Sequence, residues 1–101
     1  MTQNKIYVSG KITGDNNWKE KFQKAENGLR KMGFTVLSPR MIDATLSYED
    51  YMTIDFAMIS VCDSIYLLDD WEQSPGAKRE LEYAKSINKV VIQQALTLDE
   101  Y

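Results

Sequence analysis

The sequence predicts a single α/β domain built on a parallel β-sheet. Short runs rich in β-branched and aromatic residues alternate with amphipathic helical stretches, in the order β-α-β-α-β-α-β. The third of these runs, SIYLL at 64–68, is almost wholly apolar, as expected of a strand that is covered on both faces. Neither a repeat nor a linker interrupts the 101 residues. One domain over 1–101 with helices on both faces of its sheet is therefore expected.

Four runs are predicted to be strands. KIYVS at 5–9 stops at Gly10, and FTVL at 34–37 is ended by a Ser-Pro pair. The buried run at 64–68 is the third strand, and KVVIQ at 89–93 is the fourth. Their length and β-rich composition separate them from the longer periodic segments between them.

Three longer segments are predicted to be helices. In 18–32 the apolar residues recur at helical spacing, and Gly33 supplies the stop. The second helix covers 48–61. The third covers 75–87, where a serine precedes a proline at the first helical position.

Right-handed crossovers between parallel strands leave few possible topologies, and the simplest is the flavodoxin- or Rossmann-like order 2-1-3-4. Ligands of such sheets bind beyond the carboxyl ends of the strands, where strands 1 and 3 lie side by side. Two loops border that position, at 10–17 and 69–74. The candidate binding residues all lie in or next to these loops. They are Gly10, Lys11, Ile12, Thr13, Gly14, Asp69, Trp71, Ser74 and Gly76.

Composition limits the chemistry and the partners. The net charge of −3 argues against nucleic acid as a partner, and no apolar run approaches the ~20 residues that span a bilayer. The chain has no histidine, which excludes Ser-His-Asp catalysis and the commonest metal ligand. We expect no cofactor and no metal. The single cysteine, Cys62, fits a reducing compartment, so a cytoplasmic protein is expected.

Two carboxylates occupy unusual positions. Glu80 borders the apolar stripe of the third helix, at the mouth of the predicted site. Asp55 has largely apolar neighbours one turn away on both sides. A buried charge without a partner is costly, so Asp55 is expected to be paired, protonated or facing a cavity. The alternatives are a Glu80 head group in water at the core margin, and an Asp55 bonded to a backbone amide or a tyrosine hydroxyl.

Four segments together carry a family resemblance. IYVSGKITG, GFTVLSP, YMTIDFAMISVCDSIYLLDDW and SPGAKRELEYAKSINKVVI, within about 5–92, resemble the nucleoside 2-deoxyribosyltransferase-like superfamily, most closely a branch of short bacterial and phage proteins. Its better-understood members are deoxyribosyltransferases and 2′-deoxynucleoside 5′-monophosphate N-glycosidases. The resemblance implies cleavage or transfer at the N-glycosidic bond of a nucleoside or nucleotide, through a glutamate nucleophile.

The resemblance also implies roles for individual residues. Glu80 matches the nucleophile, four residues after Gly76, and Ser74 matches a serine of the N-glycosidase branch. Asp55 and Tyr7 match an aspartate of the second helix and a tyrosine of the first strand. Together with Glu80 they form the expected catalytic set.

If Asp55 and Glu80 face one cleft, their carboxyls are expected to lie about 5–9 Å apart. The chain departs from the monophosphate-specific branch, which has a serine and an arginine where Lys11 and Thr13 stand here. The alternative functions are a non-catalytic nucleotide-binding module and an interaction protein without a small ligand. Members of this superfamily build sites across subunits, so a homodimer is expected.

Overall fold

Four parallel strands form the centre of the molecule. The structure, a computed structural model, describes residues 4–94. The strands are β1 (Lys5–Ser9), β2 (Thr35–Leu37), β3 (Ser64–Leu67) and β4 (Val90–Gln93). Their order in the sheet is β2-β1-β3-β4, with every pair parallel, which confirms the predicted topology.

Three helices connect the strands: α1 (Trp18–Lys31), α2 (Tyr48–Val61) and α3 (Pro75–Ser86). Serine hydroxyls cap the last two, because Ser47 Oγ accepts from the Asp50 amide and Ser74 Oγ from the Ala77 amide. Gly33, with φ of 99°, follows α1 in the left-handed region that favours glycine. None of the helices within 4–94 is long and apolar enough to cross a membrane.

Alternate residues of β1 point to opposite faces of the sheet and enter two separate cores. Ile6 and Val8 pack with Phe22 and Leu29 beneath α1. Tyr7 packs on the other face, in a cluster built mainly from α2, β3 and α3. Ser9, two residues after Tyr7, faces the same side and is fully buried. The α2–α3 side of the sheet therefore receives both hydroxyl-bearing residues of β1.

The carboxyl ends of β1 and β3 lie side by side. Ser9 pairs with Leu67 in the strand register, and the Leu68 amide donates to the Ser9 carbonyl at 2.8 Å. The chain then turns at Gly10, where an added Cβ would lie only 2.7 Å from a Leu68 side-chain carbon. Only glycine fits this close approach. The loop after β1 consequently leaves the sheet directly beside the end of β3.

Candidate functional site

Glu80 is buried in the second turn of α3. Ser74 and Pro75 start the helix, and this start fixes which residues face the sheet. Glu80 belongs to the same buried face as Ala77, Leu81 and Ala84, and its exposed fraction is 5%. The alternative of a Glu80 head group in water at the core margin is therefore excluded. A carboxyl in this position needs partners from the protein.

Two hydroxyls from β1 supply those partners. Tyr7 Oη donates to Glu80 Oε2 at 3.0 Å, and Ser9 Oγ donates to Glu80 Oε1 at 2.7 Å. Both donors are fully buried. The alternation of side chains along a strand places them on one face, so that each oxygen of the carboxyl receives one hydrogen bond.

Asp55 lies beside this group, on α2. Its exposed fraction is 1%, and its Oδ1 atom is buried without a hydrogen-bond donor in the part of the chain that the structure describes. Asp55 and Glu80 each shift the pKa of the other, so the two carboxyls lie side by side. A separation of about 5–9 Å, as in glycoside-cleaving pairs, stays a prediction. The two carboxyls thus form a pair on one side of the site.

The environment makes this pair retain a proton. Burial raises the pKa of Glu80 well above its ordinary value of 4.5, and the adjacent Asp55 raises this pKa further, whereas the Ser9 and Tyr7 hydroxyls oppose the rise. Burial also raises the pKa of Asp55 above 3.8, against hydrogen bonds to Glu80 and Tyr7 that lower it. Ionisation of one of two adjacent carboxyls opposes ionisation of the other, so the pair holds a proton to higher pH than a free carboxyl does.

Tyr7 remains a hydrogen-bond donor to the pair. Burial, followed by the nearby charges of Glu80 and Asp55, raises the pKa of the Tyr7 phenol well above 10.0. The phenol therefore stays protonated over the physiological range, and its proton is available to a carboxylate at Glu80.

The carboxyl pair opens into a cleft of about 520 Å³ at the predicted edge of the sheet. Eight predicted residues line it, and they come from the loop after β1 and from α2 and α3. These eight are Gly10, Lys11, Ile12, Thr13, Asp55, Ser74, Gly76 and Glu80. The lining also contains residues that the sequence did not single out: Trp18, Ala44, Leu46, Tyr48, Tyr51, Met52, Gln73, Pro75 and Ala77.

Four of the predicted site residues do not line the cleft. Tyr7 lies beneath it and reaches it through Glu80. Gly14 adopts a φ of 84° at the outer bend of the loop, near Lys11 Cε. The Asp69 amide bonds to Gln94, and Trp71 packs against the core on the α2–α3 side. The structure therefore does not bring Asp69 and Trp71 together with the carboxyl pair.

Ser74 borders the cleft with its hydroxyl engaged as the cap of α3, at 3.0 Å from the Ala77 amide. Sequence reasoning did not identify Ser9, although its position two residues after Tyr7 in a predicted strand was a usable signal. It also preferred Asp69 to Asp70, the residue that contacts the loop after β1. Within 4–94, no group of three or more acidic, histidine or cysteine side chains could hold a metal ion.

Comparisons with known proteins agree with this architecture. Residues 4–93 match the family model described as a domain of unknown function, DUF4406. The comparison with curated proteins found no match. Among solved structures, a 2-desoxiribosyltransferase from Leishmania mexicana superposes with a TM-score of 0.72 at 20% identity, over 89% of this chain and 63% of that one. The chain thus spans less than two thirds of that enzyme.

A 2-deoxyribosyltransferase from the psychrotolerant bacterium Bacillus psychrosaccharolyticus superposes with a TM-score of 0.69 at 26% identity, over 88% of this chain and 70% of that one. The family match covers nearly the whole described chain, and the two solved structures share its fold. The chain belongs to the DUF4406 family, and its fold is that of the 2-deoxyribosyltransferases.

Proposed function

We propose that the protein cleaves the N-glycosidic bond of 2′-deoxynucleosides or their monophosphates, or transfers the deoxyribosyl group, with Glu80 as the nucleophile. The observation that carries the proposal is the buried Glu80 carboxyl in the cleft, with Ser9 and Tyr7 donating to its two oxygens and Asp55 beside it. Two hydroxyl donors favour the carboxylate that attack on a sugar carbon requires.

The reaction proceeds by displacement at C1′ of the sugar. A Glu80 oxygen forms a bond to C1′ as the bond from C1′ to the base nitrogen breaks, through an oxocarbenium-like state. The base leaves with the electron pair of that bond and takes up a proton from solvent. Water or a second base then attacks C1′, which releases Glu80 as a carboxylate and gives hydrolysis or transfer.

Asp55 acts on the nucleophile in this scheme. The leaving base departs from the sugar face opposite the attacking carboxylate, whereas Asp55 lies beside that carboxylate. This position is poor for protonating the base. It is suited to taking the proton from Glu80, so that Glu80 is ionised when positive charge develops at C1′.

The cleft has the size and walls that a nucleoside needs. Its volume of about 520 Å³ falls within the range of small-molecule sites. Trp18, Tyr48 and Tyr51 provide aromatic surface for a base, and the Lys11 side chain also lines the cleft. Trp71, a candidate binding residue from the sequence, packs against the core instead. We further propose that the protein is a homodimer, which sedimentation at tens of micromolar tests.

One observation favours a second candidate, a nucleotide-binding module without turnover. The raised pKa of Glu80 keeps a proton on the carboxyl pair, and a protonated carboxyl is a weak nucleophile. Such a protein would bind a nucleoside or nucleotide and gain thermal stability from it, but would release no base.

Chromatography of free base tests the two candidates. Wild type and Glu80→Gln are incubated with deoxynucleosides and their 5′-monophosphates, and with ribonucleosides in parallel. The control variant is Glu26→Gln, which alters a buried glutamate that is paired with Arg40 outside the cleft. The proposal expects base release from wild type and the control and none from Glu80→Gln. Stabilisation by ligand without base release would favour the binding module, and release by Glu80→Gln would contradict the nucleophile.

A further inference from the structure

The loop after β1 is held at one residue by contacts to both of its backbone polar groups. The Lys11 amide donates to Asp70 Oδ1 at 3.0 Å, and the Lys11 carbonyl accepts from Lys21 Nζ at 3.2 Å. The same ammonium group contacts Asp70 Oδ2, which closes the connection between the two. Lys11 is thereby fixed by one residue from α1 and one from the turn after β3.

Lys21 uses its whole hydrogen-bonding capacity in this arrangement. An ammonium group has three N–H donors, and its three acceptors here are the Lys11 carbonyl, Asp70 and Asp15, the last at 2.7 Å. We call Lys21, Asp70 and Asp15 the loop clamp. Their side chains are between 17% and 25% exposed, so their charges are only partly screened by solvent.

The protonation states agree with the geometry. Partial burial lowers the pKa of Lys21, but hydrogen bonds and charge from Asp15 and Asp70 outweigh it and leave this pKa above 10.5. The bond from Lys21 holds the pKa of Asp15 below 3.8. The contacts of Lys21 are therefore charge-assisted, and such hydrogen bonds are stronger than neutral ones.

The clamp lies outside the cleft, whereas the loop that it holds lines the cleft. Neither Lys21 nor Asp70 is among the lining residues, but the run from Gly10 to Thr13 is. The Lys11 backbone is thereby fixed, while the Lys11 side chain lines the cleft and its charge helps to lower the pKa of Asp15. The loop is also held by the Gly10 corner, by a bond from the Asp15 amide to the Ile12 carbonyl and by packing of Ile12 against the core beneath α1.

We propose that Lys21 and Asp70 are positioning residues that hold the cleft loop in its substrate-binding conformation before substrate arrives, which reduces the ordering cost of binding. The effect on substrate binding rests on the proposed function. The ordering of the loop by Lys21 and Asp70 does not, because it is a property of the ligand-free protein. Positioning of this kind affects substrate binding more than the chemical step. The loop lines the cleft that would hold the substrate, whereas the chemical step takes place at Glu80 and Asp55.

The experiment compares wild type with Lys21→Met, Asp70→Asn and Lys21→Arg. Lys24→Met, an exposed lysine on the same helix, is the matched control. Hydrogen exchange of the amides at 11–13 is measured without ligand, and kcat and KM are measured with the deoxynucleoside that wild type cleaves best. Lys21→Met and Asp70→Asn should speed loop exchange about tenfold, with the β1 amides unchanged. KM should rise about fivefold with kcat within about twofold of wild type.

Lys21→Arg should restore part of both effects, because it keeps the charge, whereas Lys24→Met should match wild type. Unchanged loop exchange in Lys21→Met would overturn the clamp. Faster exchange with an unchanged KM would overturn its role in substrate binding, as would a loss confined to kcat. If wild type cleaves no deoxynucleoside, the proposed function fails, and the exchange measurement still decides whether the clamp holds the loop.

Discussion

Ser9 Oγ donates to Glu80 Oε1 at 2.7 Å, which joins the last residue of β1 to the second turn of α3. Strand alternation places Tyr7 on the same face, where it donates to the other oxygen. Only hydroxyls contact these oxygens as donors within 4–94, and no cation does. Glu80 is therefore held in place without the ion pair that would fix its charge.

Replacement of Ser9 tests whether this bond serves the reaction. Ser9→Ala removes a donor that lowers the pKa of Glu80, so less carboxylate is available and kcat/KM at neutral pH should fall about tenfold. The matched control is Ser38→Ala, which removes a buried serine bond of 2.6 Å to Glu26, away from the cleft. Both variants should lose about 1 kcal/mol of stability. Equal kcat/KM in the two would show that the Ser9 bond is structural only.

The pH profile of Asp55→Asn tests the role of Asp55. The Asp55 carboxyl raises the pKa of Glu80, so its conversion to a neutral amide should lower that pKa. If ionised Glu80 is the nucleophile, the acidic limb of kcat/KM should move to lower pH, with base release still measurable. Loss of the alkaline limb alone would instead assign Asp55 as the acid that protonates the leaving base.

Two buried glutamates should respond to pH in opposite ways. The pKa of Glu80 is raised in the folded state, so above pH 4.5 the folded state holds the Glu80 proton more tightly than the unfolded chain, and the contribution of Glu80 to stability falls as pH rises. Glu80→Gln removes this effect. Its free energy of unfolding should equal or exceed that of wild type by about 1 kcal/mol at neutral pH, and the difference should vanish near pH 4.

Burial raises the pKa of Glu26, but Arg40 and Ser38 outweigh it and leave this pKa below 4.5. Its stabilisation is present above pH 4.5 and is lost as pH falls through the folded-state pKa. Glu26→Gln should therefore cost about 2 kcal/mol at neutral pH, and less in acid. Urea unfolding from pH 4 to 8 measures both variants. A neutral-pH loss in Glu80→Gln as large as in Glu26→Gln would refute the account of the Glu80 environment.

Gly76 keeps part of the cleft open. A Cβ added there would meet Tyr48 Oη at 3.6 Å, Met52 Sδ at 3.7 Å and Ser74 Oγ at 3.8 Å, which are ordinary contacts. Gly76→Ala should therefore fold with unchanged or slightly higher stability, and nucleoside KM should rise about tenfold because the methyl group occupies cleft volume. The control is Gly28→Ala, which has open space around it on α1 and should change stability alone. Calorimetry and steady-state kinetics measure the two effects. Unchanged KM in Gly76→Ala would place the substrate elsewhere.

The sequence predicted the fold well because its signals were periodic and local. The predicted strands at 5–9 and 64–68 match β1 and β3 within one residue. The pair Ser74-Pro75 correctly marked the start of α3. Burial patterns also identified Glu80 and Asp55, since a carboxyl on an apolar face contradicts the pattern around it. Strand runs, helix starts and apolar faces are properties of single helices or strands, so they can be recognised in the sequence alone.

Contacts between elements were not predictable in the same way. The loop clamp joins Lys21 of α1 to Asp70 of the turn after β3, 49 residues along the chain, and nothing local selects Asp70 over Asp69. The separation of the Asp55 and Glu80 carboxyls depends on how α2 packs against α3. An indole side chain such as that of Trp71 can pack in a core or stack on a nucleobase. In this structure Trp71 packs against the core.

The mass of the protein during turnover shows whether Glu80 becomes covalently bonded to the sugar. Wild type, Glu80→Gln and Glu26→Gln are mixed with a deoxynucleoside, quenched in acid within seconds, and analysed as intact protein and as proteolytic peptides. We expect an added deoxyribosyl group at Glu80 in wild type and in Glu26→Gln, and none in Glu80→Gln. Base release by wild type with the adduct on another residue, or an adduct on Glu80→Gln, would contradict Glu80 as the nucleophile.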